Sequence, residues 1–196
     1  MQDFQQKMTR FFADLWPAEE KVLVFGEGNA DRPAIMLIGE APGEQETLQR
    51  RPFVGKAGKN LDGFLEVVGL RREELYISNV VKIRPTKVSG KGRLSNRPPN
   101  REELALFTPF LMEEILRVNP QLIVTLGNVP LKALLGAKAV IGDHHGAVTR
   151  AHVTHEKQAA EFSLFPLYHP ASIIYNRSLQ EVYQADLIAL KALLEG

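Results

Sequence analysis

Four short segments carry side chains whose types and spacing fit chemistry on a planar ring. The first is Gly39-Glu40-Ala41-Pro42-Gly43-Glu44-Gln45-Glu46. Its glycines and proline permit a tight turn and a close approach of backbone to ligand. Backbone N–H groups in such a turn can bind a carbonyl or a developing anion. Glu40, Glu44 and Glu46 bring carboxylates to the same place, and no Gly-Lys-Ser/Thr follows, so a phosphate-binding loop is disfavoured. The second segment sets Phe53 between Pro52 and Gly55, where a ring can be presented for stacking, with Arg50, Arg51 and Lys56 as flanking cations. In the third, Asn79 supplies a donor and an acceptor on one amide, the complement of a ring edge carrying N–H beside C=O. In the fourth, His169-Pro170-Ala171-Ser172-Ile173, the proline restricts the histidine to an extended or turn backbone. A fixed imidazole there can donate to a ring oxygen that gains negative charge. Ser172 can bind a phosphate, and Ile173 and Ile174 can act as an apolar wedge in a base stack. Each segment alone also has a structural explanation: an acidic strand-to-helix turn, a core Phe, a turn-capping Asn, a structural His–Pro.

These segments need a frame that brings them together. Strand-like runs occur at Ala34–Ile38, Leu75–Val81, Gln121–Leu126 and Phe162–Leu167. Between or after them, Leu61, Phe64, Leu65 and Val68 recur at helical spacing, as do Leu104, Phe107, Leu111 and Ile115, and Leu187, Leu190, Leu193 and Leu194. Strands alternating with helices predict a three-layer α/β/α sandwich with a central, mainly parallel four-stranded sheet. The loops after the first, second and fourth runs then emerge on the carboxyl edge, where such sheets bind ligands. The segment 87–92 reads as a mobile excursion, and 140–161 as a hairpin or long connection.

Composition bounds the function. The chain has 196 residues, is 44% hydrophobic and carries a net charge of +1, which suits one globular domain over 1–196 with an N-terminal helical arm at 1–20. No apolar run has the length of a membrane span, and the polar N-terminus lacks a signal peptide, so a cytoplasmic protein is expected. The neutral total hides a basic stripe. Lys82, Arg84, Lys87, Lys91, Arg93, Arg97 and Arg101 fall within 81–101, where there is no Asp or Glu. That is a surface suited to phosphates, or a solvated basic loop. There are 0 cysteines, which removes disulfides, thiolate metal sites and cysteine nucleophiles. His144, His145, His152 and His155 match no metal-ligand spacing, and no metal or organic cofactor is expected.

Taken together and in order, these motifs resemble the uracil-DNA glycosylase superfamily, and its family 4 in particular. The similarity runs from about Phe25 to about Asn176. It includes Phe25-Gly26-Glu27-Gly28-Asn29, the two glycine-rich loops, Ile77-Ser78-Asn79-Val80-Val81-Lys82, Asn96-Arg97 and His169-Pro170-Ala171-Ser172. The resemblance implies excision of flipped-out uracil from DNA, single- or double-stranded, by a monomeric hydrolase. Glu40, Ala41 and Pro42 would line the uracil pocket, Phe53 would stack on the base, Asn79 would read its edge, and His169 would stabilise the leaving anion. Glu40 and Glu46 are the acids available to organise water, because Ala41 stands where the most efficient branch has Asp. DNA contacts would come from Lys82, Arg84, Asn96, Arg97, Ser172 and Ile173. Other family 4 members hold a [4Fe–4S] cluster through cysteines that align with Phe11, Asp14, Ile83 and Phe107, so apolar packing is expected to fill that space. An insertion between Pro85 and Asn96 resembles a branch that traps DNA through a loop histidine. That histidine aligns with Asn96, so no covalent trap is expected. A non-catalytic uracil- or DNA-binding module, or a glycosylase for another deaminated base such as hypoxanthine, are the alternatives.

Overall fold

A computed structural model describes residues 1–18, 21–90, 92–176 and 178–195. Among the described residues, eight strands are β1 (Glu27–Gly28), β2 (Ile35–Gly39), β3 (Tyr76–Asn79), β4 (Thr86–Val88), β5 (Leu94–Asn96), β6 (Leu122–Leu126), β7 (Thr149–His155) and β8 (Gln158–Leu167). The helices are α1 (Gln2–Leu15), α2 (Glu44–Gln49), α3 (Lys56–Val68), α4 (Arg101–Val118), α5 (Asn128–Leu135), α6 (Ile141–His144), α7 (Pro170–Tyr175) and α8 (Ser178–Glu195). The expected sandwich is present, with two additions to its sheet. The four parallel strands β3, β2, β6 and β8 form the centre of a six-stranded sheet ordered β1-β3-β2-β6-β8-β7. Both edge strands, β1 and β7, run antiparallel to their neighbours.

Alternation along the strands makes the three layers. In β2, Met36 and Ile38 face one way, with Phe107, Leu111 and Ile115 of α4 and Leu131 of α5. Ile35 and Leu37 face the other, with Leu61 and Phe64 of α3 and Leu187 and Leu190 of α8. Such period-two segregation is what a strand covered on both faces requires. The chain runs β2 to β3 through α3 on one face, then β3 to β6 through α4 on the other. The strand order therefore reverses at β2, and the crevice beyond its carboxyl end is a topological switch point.

Two connections flank this frame, and the first agrees with the hairpin expected over 140–161. The segment 140–161 supplies β7, a regular hairpin partner of β8 from Thr149↔Leu164 to His155↔Gln158. The second, expected as an excursion over 87–92, has a regular base: β4 and β5 pair antiparallel as a short hairpin, with Lys91 outside the described residues. Alternating Thr86-Lys87-Val88 and Leu94-Ser95-Asn96 are enough for three rungs. The arm α1 packs into the core through Phe4, Met8 and Phe12. Among the described residues no helix is long and apolar enough to cross a membrane.

Candidate active site

The site begins with how β2 and β3 end. Gly39 and Asn79 are register partners. Beyond them the ladder continues, with Val80 N–H donating to Gly39 O at 2.9 Å and Val81 N–H donating to Glu40 O at 3.0 Å. Glu40 is thereby fixed beside Asn79. Gly39 lies under the Asn79 amide and the Phe53 ring. A Cβ there would stand 2.5 Å from Asn79 Oδ1 and 2.5 Å from Phe53 Cζ, so only glycine lets the two meet.

Phe53 is buried and has a left-handed backbone at φ +53°, uncommon for a bulky residue. The surroundings hold it there. Arg72 Nη1 donates to Phe53 O at 3.0 Å, and Arg72 also donates to Pro52 O. Glu27 pairs with Arg72 at 2.8 Å and with Arg51 at 2.9 Å, joining this loop to β1. In the sequence Glu27 stands within a motif without a task, Gly39 reads as a turn glycine and not as the floor beneath Asn79 and Phe53, and Arg72 gives no sign at all. Their signal is spatial, since Arg72 lies far along the chain from the carbonyls it holds.

Glu46 ties the two glycine-rich loops together. Its Oε2 accepts from Gly43 N–H at 3.1 Å, and its Oε1 accepts from Val54 N–H at 3.0 Å and Gly55 N–H at 2.7 Å. The glycines clear the space, because a Cβ on Gly43 would lie 2.8 Å from Oε2 and one on Gly55 would lie 3.1 Å from Oε1.

His169 is the N-cap of α7. Its Nδ1 accepts from Ala171 N–H at 3.1 Å, so the neutral ring carries its proton on Nε2. Burial holds its pKa below the ordinary imidazole value, which favours that neutral form. Burial acts on Glu40 in the opposite direction and raises its carboxyl pKa. Glu40, Ala41, Glu46, Phe53, Asn79 and His169 together enclose a cavity of about 50 Å³. Through Glu40, Ala41 and His169 it opens into a groove of about 810 Å³ whose far wall includes Pro85, Asn96 and Arg97. Pro42 lines the groove and not the inner cavity.

The expected DNA contacts fare differently. Lys82 is corrected: it is 0% exposed, and its ammonium meets Glu114 at 2.6 Å, Asn79 O at 2.6 Å and Ser78 Oγ at 2.5 Å. Tyr76 and Ser78 hydroxyls donate to the same Glu114 carboxylate. A charge so enclosed reaches no phosphate; it anchors the strand end that carries Asn79. Ile173 is half-buried beside Phe64 and Leu187 in the α3–α8 layer and does not line the groove, and the side chain of Ile174 lies outside the described residues. Arg84 and Arg97 border the groove side but are paired. Arg84 bonds Asn96 at 2.7 Å and Glu44 at 3.2 Å, and Arg97 grips Glu103 through two bonds of 2.7 Å. Asn96 and Ser172 are exposed at the groove.

An iron–sulfur cluster does not fit this chain, since thiolates are absent from the sequence. Among the described residues no group of His, Asp and Glu is arranged to hold a metal ion either. At the corresponding place Phe107 and Ile83 are buried, but Phe11 is 43% exposed and Asp14 is exposed. The next residue along α1, Phe12, fills the core instead, stacking on Phe107 at 4.6 Å and on Trp16 at 4.9 Å.

The fold and pocket describe an α/β/α protein with a small cavity of mixed polar and apolar lining at its sheet's carboxyl edge. Residues 25–191 match the Uracil DNA glycosylase superfamily, and the chain belongs to that family. It is 35% identical over 183 residues to the type-4 uracil-DNA glycosylase of Saccharolobus solfataricus, covering 93% of this chain and 80% of that protein. It is 35% identical to the type-4 uracil-DNA glycosylase of Thermotoga maritima, covering 88% and 83%. The crystal structure of wild-type Pedobacter heparinus SMUG2 shares the fold with a TM-score of 0.50 at 15% identity, covering 84% of this chain and 77% of that one.

Proposed function

We propose that the protein is a DNA glycosylase that hydrolyses the N-glycosidic bond of uracil turned out of DNA, leaving an abasic site. One observation carries this reading: an aromatic face, a side-chain amide and a neutral imidazole donor share one cavity. Phe53 offers its ring to the extruded base. Asn79 pairs with the N3–H and O4 edge, and cytosine presents that pattern reversed. A mispaired edge leaves buried polar groups unsatisfied, which costs about 1–3 kcal/mol for each group. As the glycosidic bond lengthens, negative charge gathers on uracil O2, and His169 Nε2–H donates to it.

The group that activates water is Glu40. Both oxygens of Glu46 are engaged by backbone N–H groups, so its role is to position the loops. Glu40 makes no such commitment, and its raised pKa makes it the better proton acceptor. Ser172 and Asn96 contact phosphates along the groove.

The test is a labelled oligonucleotide with one uracil, incubated with the protein and treated with alkali. Cleavage at the uracil is expected, with large losses for Asn79→Asp and His169→Ala. Binding without cleavage would replace the enzyme by a binding module. Faster release of hypoxanthine than of uracil would redirect the specificity.

A further inference from the structure

The β4–β5 hairpin rises from the wall of the groove. Pro85, Asn96 and Arg97 at its base face the same space as Glu40 and His169. Three rungs, Thr86↔Asn96, Lys87↔Ser95 and Val88↔Leu94, carry it outward. At the usual strand rise this is a reach of about 10 Å. The outermost rung is apolar. Val88 is 68% exposed and Leu94 is 54% exposed, and as directly opposed residues they share one face. Lys87 and Arg93 are exposed beside them.

Of the two apolar side chains expected to enter the base stack, Ile173 is half-buried against the α3–α8 layer, and the side chain of Ile174 lies outside the described residues. The extruded nucleotide of the proposed reaction leaves a gap that something must fill. We infer that the hairpin is the wedge: Val88 and Leu94 enter the duplex where the nucleotide has left, and Lys87 and Arg93 sit on the flanking phosphates. This inference rests on the glycosylase reading given above. Two features select a nucleic acid as the occupant. The hairpin is continuous with the groove that receives the strand, and no Asp or Glu occurs from 75 to 101. That field attracts phosphate and repels a second copy of the same hairpin. Apolar side chains inserted between base steps are an established way to hold an unstacked duplex open. A single strand has no stack to fill, so the wedge acts on duplex alone.

The experiment compares the full chain with Val88→Ser/Leu94→Ser on one uracil sequence, offered as duplex and as single strand. The substituted side chains are exposed, and an unchanged thermal melt checks the fold. The variant is expected to lose about tenfold or more in kcat/KM on duplex, with single-strand excision retained within about twofold. In a duplex with 2-aminopurine opposite the uracil, wild type raises fluorescence on binding and the variant does not. Lys87→Gln/Arg93→Gln is expected to lower the slope of log affinity against log salt by about 1.8 on duplex. Equal loss on both substrates, or none on duplex, overturns the wedge. So does a concentration-dependent dimer that the serine variant dissolves. If wild type excises uracil from neither substrate, the glycosylase reading fails. The fluorescence difference then decides the wedge alone: a rise lost in the variant supports it, and equal signals reject it.

Discussion

Glu46→Gln separates a positioning carboxylate from a catalytic base. The carboxylate is buried and receives three backbone N–H bonds, one on Oε2 from Gly43 and two on Oε1 from Val54 and Gly55. Glutamine has one acceptor oxygen. It will take the Oε1 place, where two donors wait, and set its NH2 against the Gly43 N–H. One bond to a charged acceptor is lost, with a donor left facing a donor, and two more become bonds to a neutral acceptor. Bonds to charged groups contribute about 1.5–3 kcal/mol, so a stability loss of about 2–4 kcal/mol is expected. Urea denaturation reads it directly. Excision by the folded fraction should fall because the Gly43 turn loosens from the Phe53 loop, and the pH–rate profile should keep its shape. The reasoning fails if Glu46→Gln melts within about 0.5 kcal/mol of wild type while kcat drops by about a thousandfold. That outcome has the size of a lost general base and would return the role to Glu46.

Gly39→Ala should cost about 1–3 kcal/mol by overpacking and weaken product inhibition by free uracil, since the new methyl must displace Asn79 or Phe53; unchanged inhibition would contradict the contact. Lys82→Met leaves Glu114 buried without its cation and should cost about 3–5 kcal/mol, much of it recovered in Lys82→Met/Glu114→Leu by chemical denaturation. His169 has its folded pKa below the unfolded one, so its stability contribution is present above the ordinary imidazole value and is lost as pH falls through the folded value. Excision should fall over the same interval, because protonating Nδ1 breaks the bond from Ala171, and single-turnover rates against pH will show a missing acid limb if this is wrong. Glu40 has the opposite sign: a raised carboxyl favours the folded state at low pH and penalises it as pH rises, so Glu40→Gln should melt higher than wild type at neutral pH while excising more slowly.

Three of the cavity residues were readable because each closes a strand or borders a conformationally special residue. Asn79 closes β3, His169 precedes a proline, and Phe53 lies between Pro52 and Gly55. Such positions announce themselves locally. Lys82 does not. A lysine in Val80-Val81-Lys82-Ile83-Arg84 has the look of one member of a basic stripe, and its burial depends on Glu114, thirty-two residues away. The same holds for Arg72, whose partners lie on β1 and in the Phe53 loop. The aligned position of Phe11 was misleading by one residue. One step along a helix turns the side chain by about 100°, enough to exchange the exposed Phe11 for the buried Phe12.

The aromatic cluster also changes how the N-terminal helix supports the site. A cluster of metal and thiolates would cross-link α1, the strand end after β3 and α4 through bonds of fixed length. Here Phe12 lies flat on Phe107, Phe11 meets Phe110 edge-on at 5.2 Å, and Ile83 joins the same core. Val24 N–H donates to Lys82 O at 2.7 Å, so the segment leaving α1 pairs with the backbone just beyond Asn79. Full burial of one such side chain contributes about 1.5–3 kcal/mol, and no single contact dominates. Lys82 is the junction of two supports: its carbonyl holds the segment from α1, and its ammonium holds the Asn79 carbonyl. The backbone that carries the Asn79 amide is thus held from behind by a buried ion pair and an apolar stack, a support that owes nothing to the redox state of a metal.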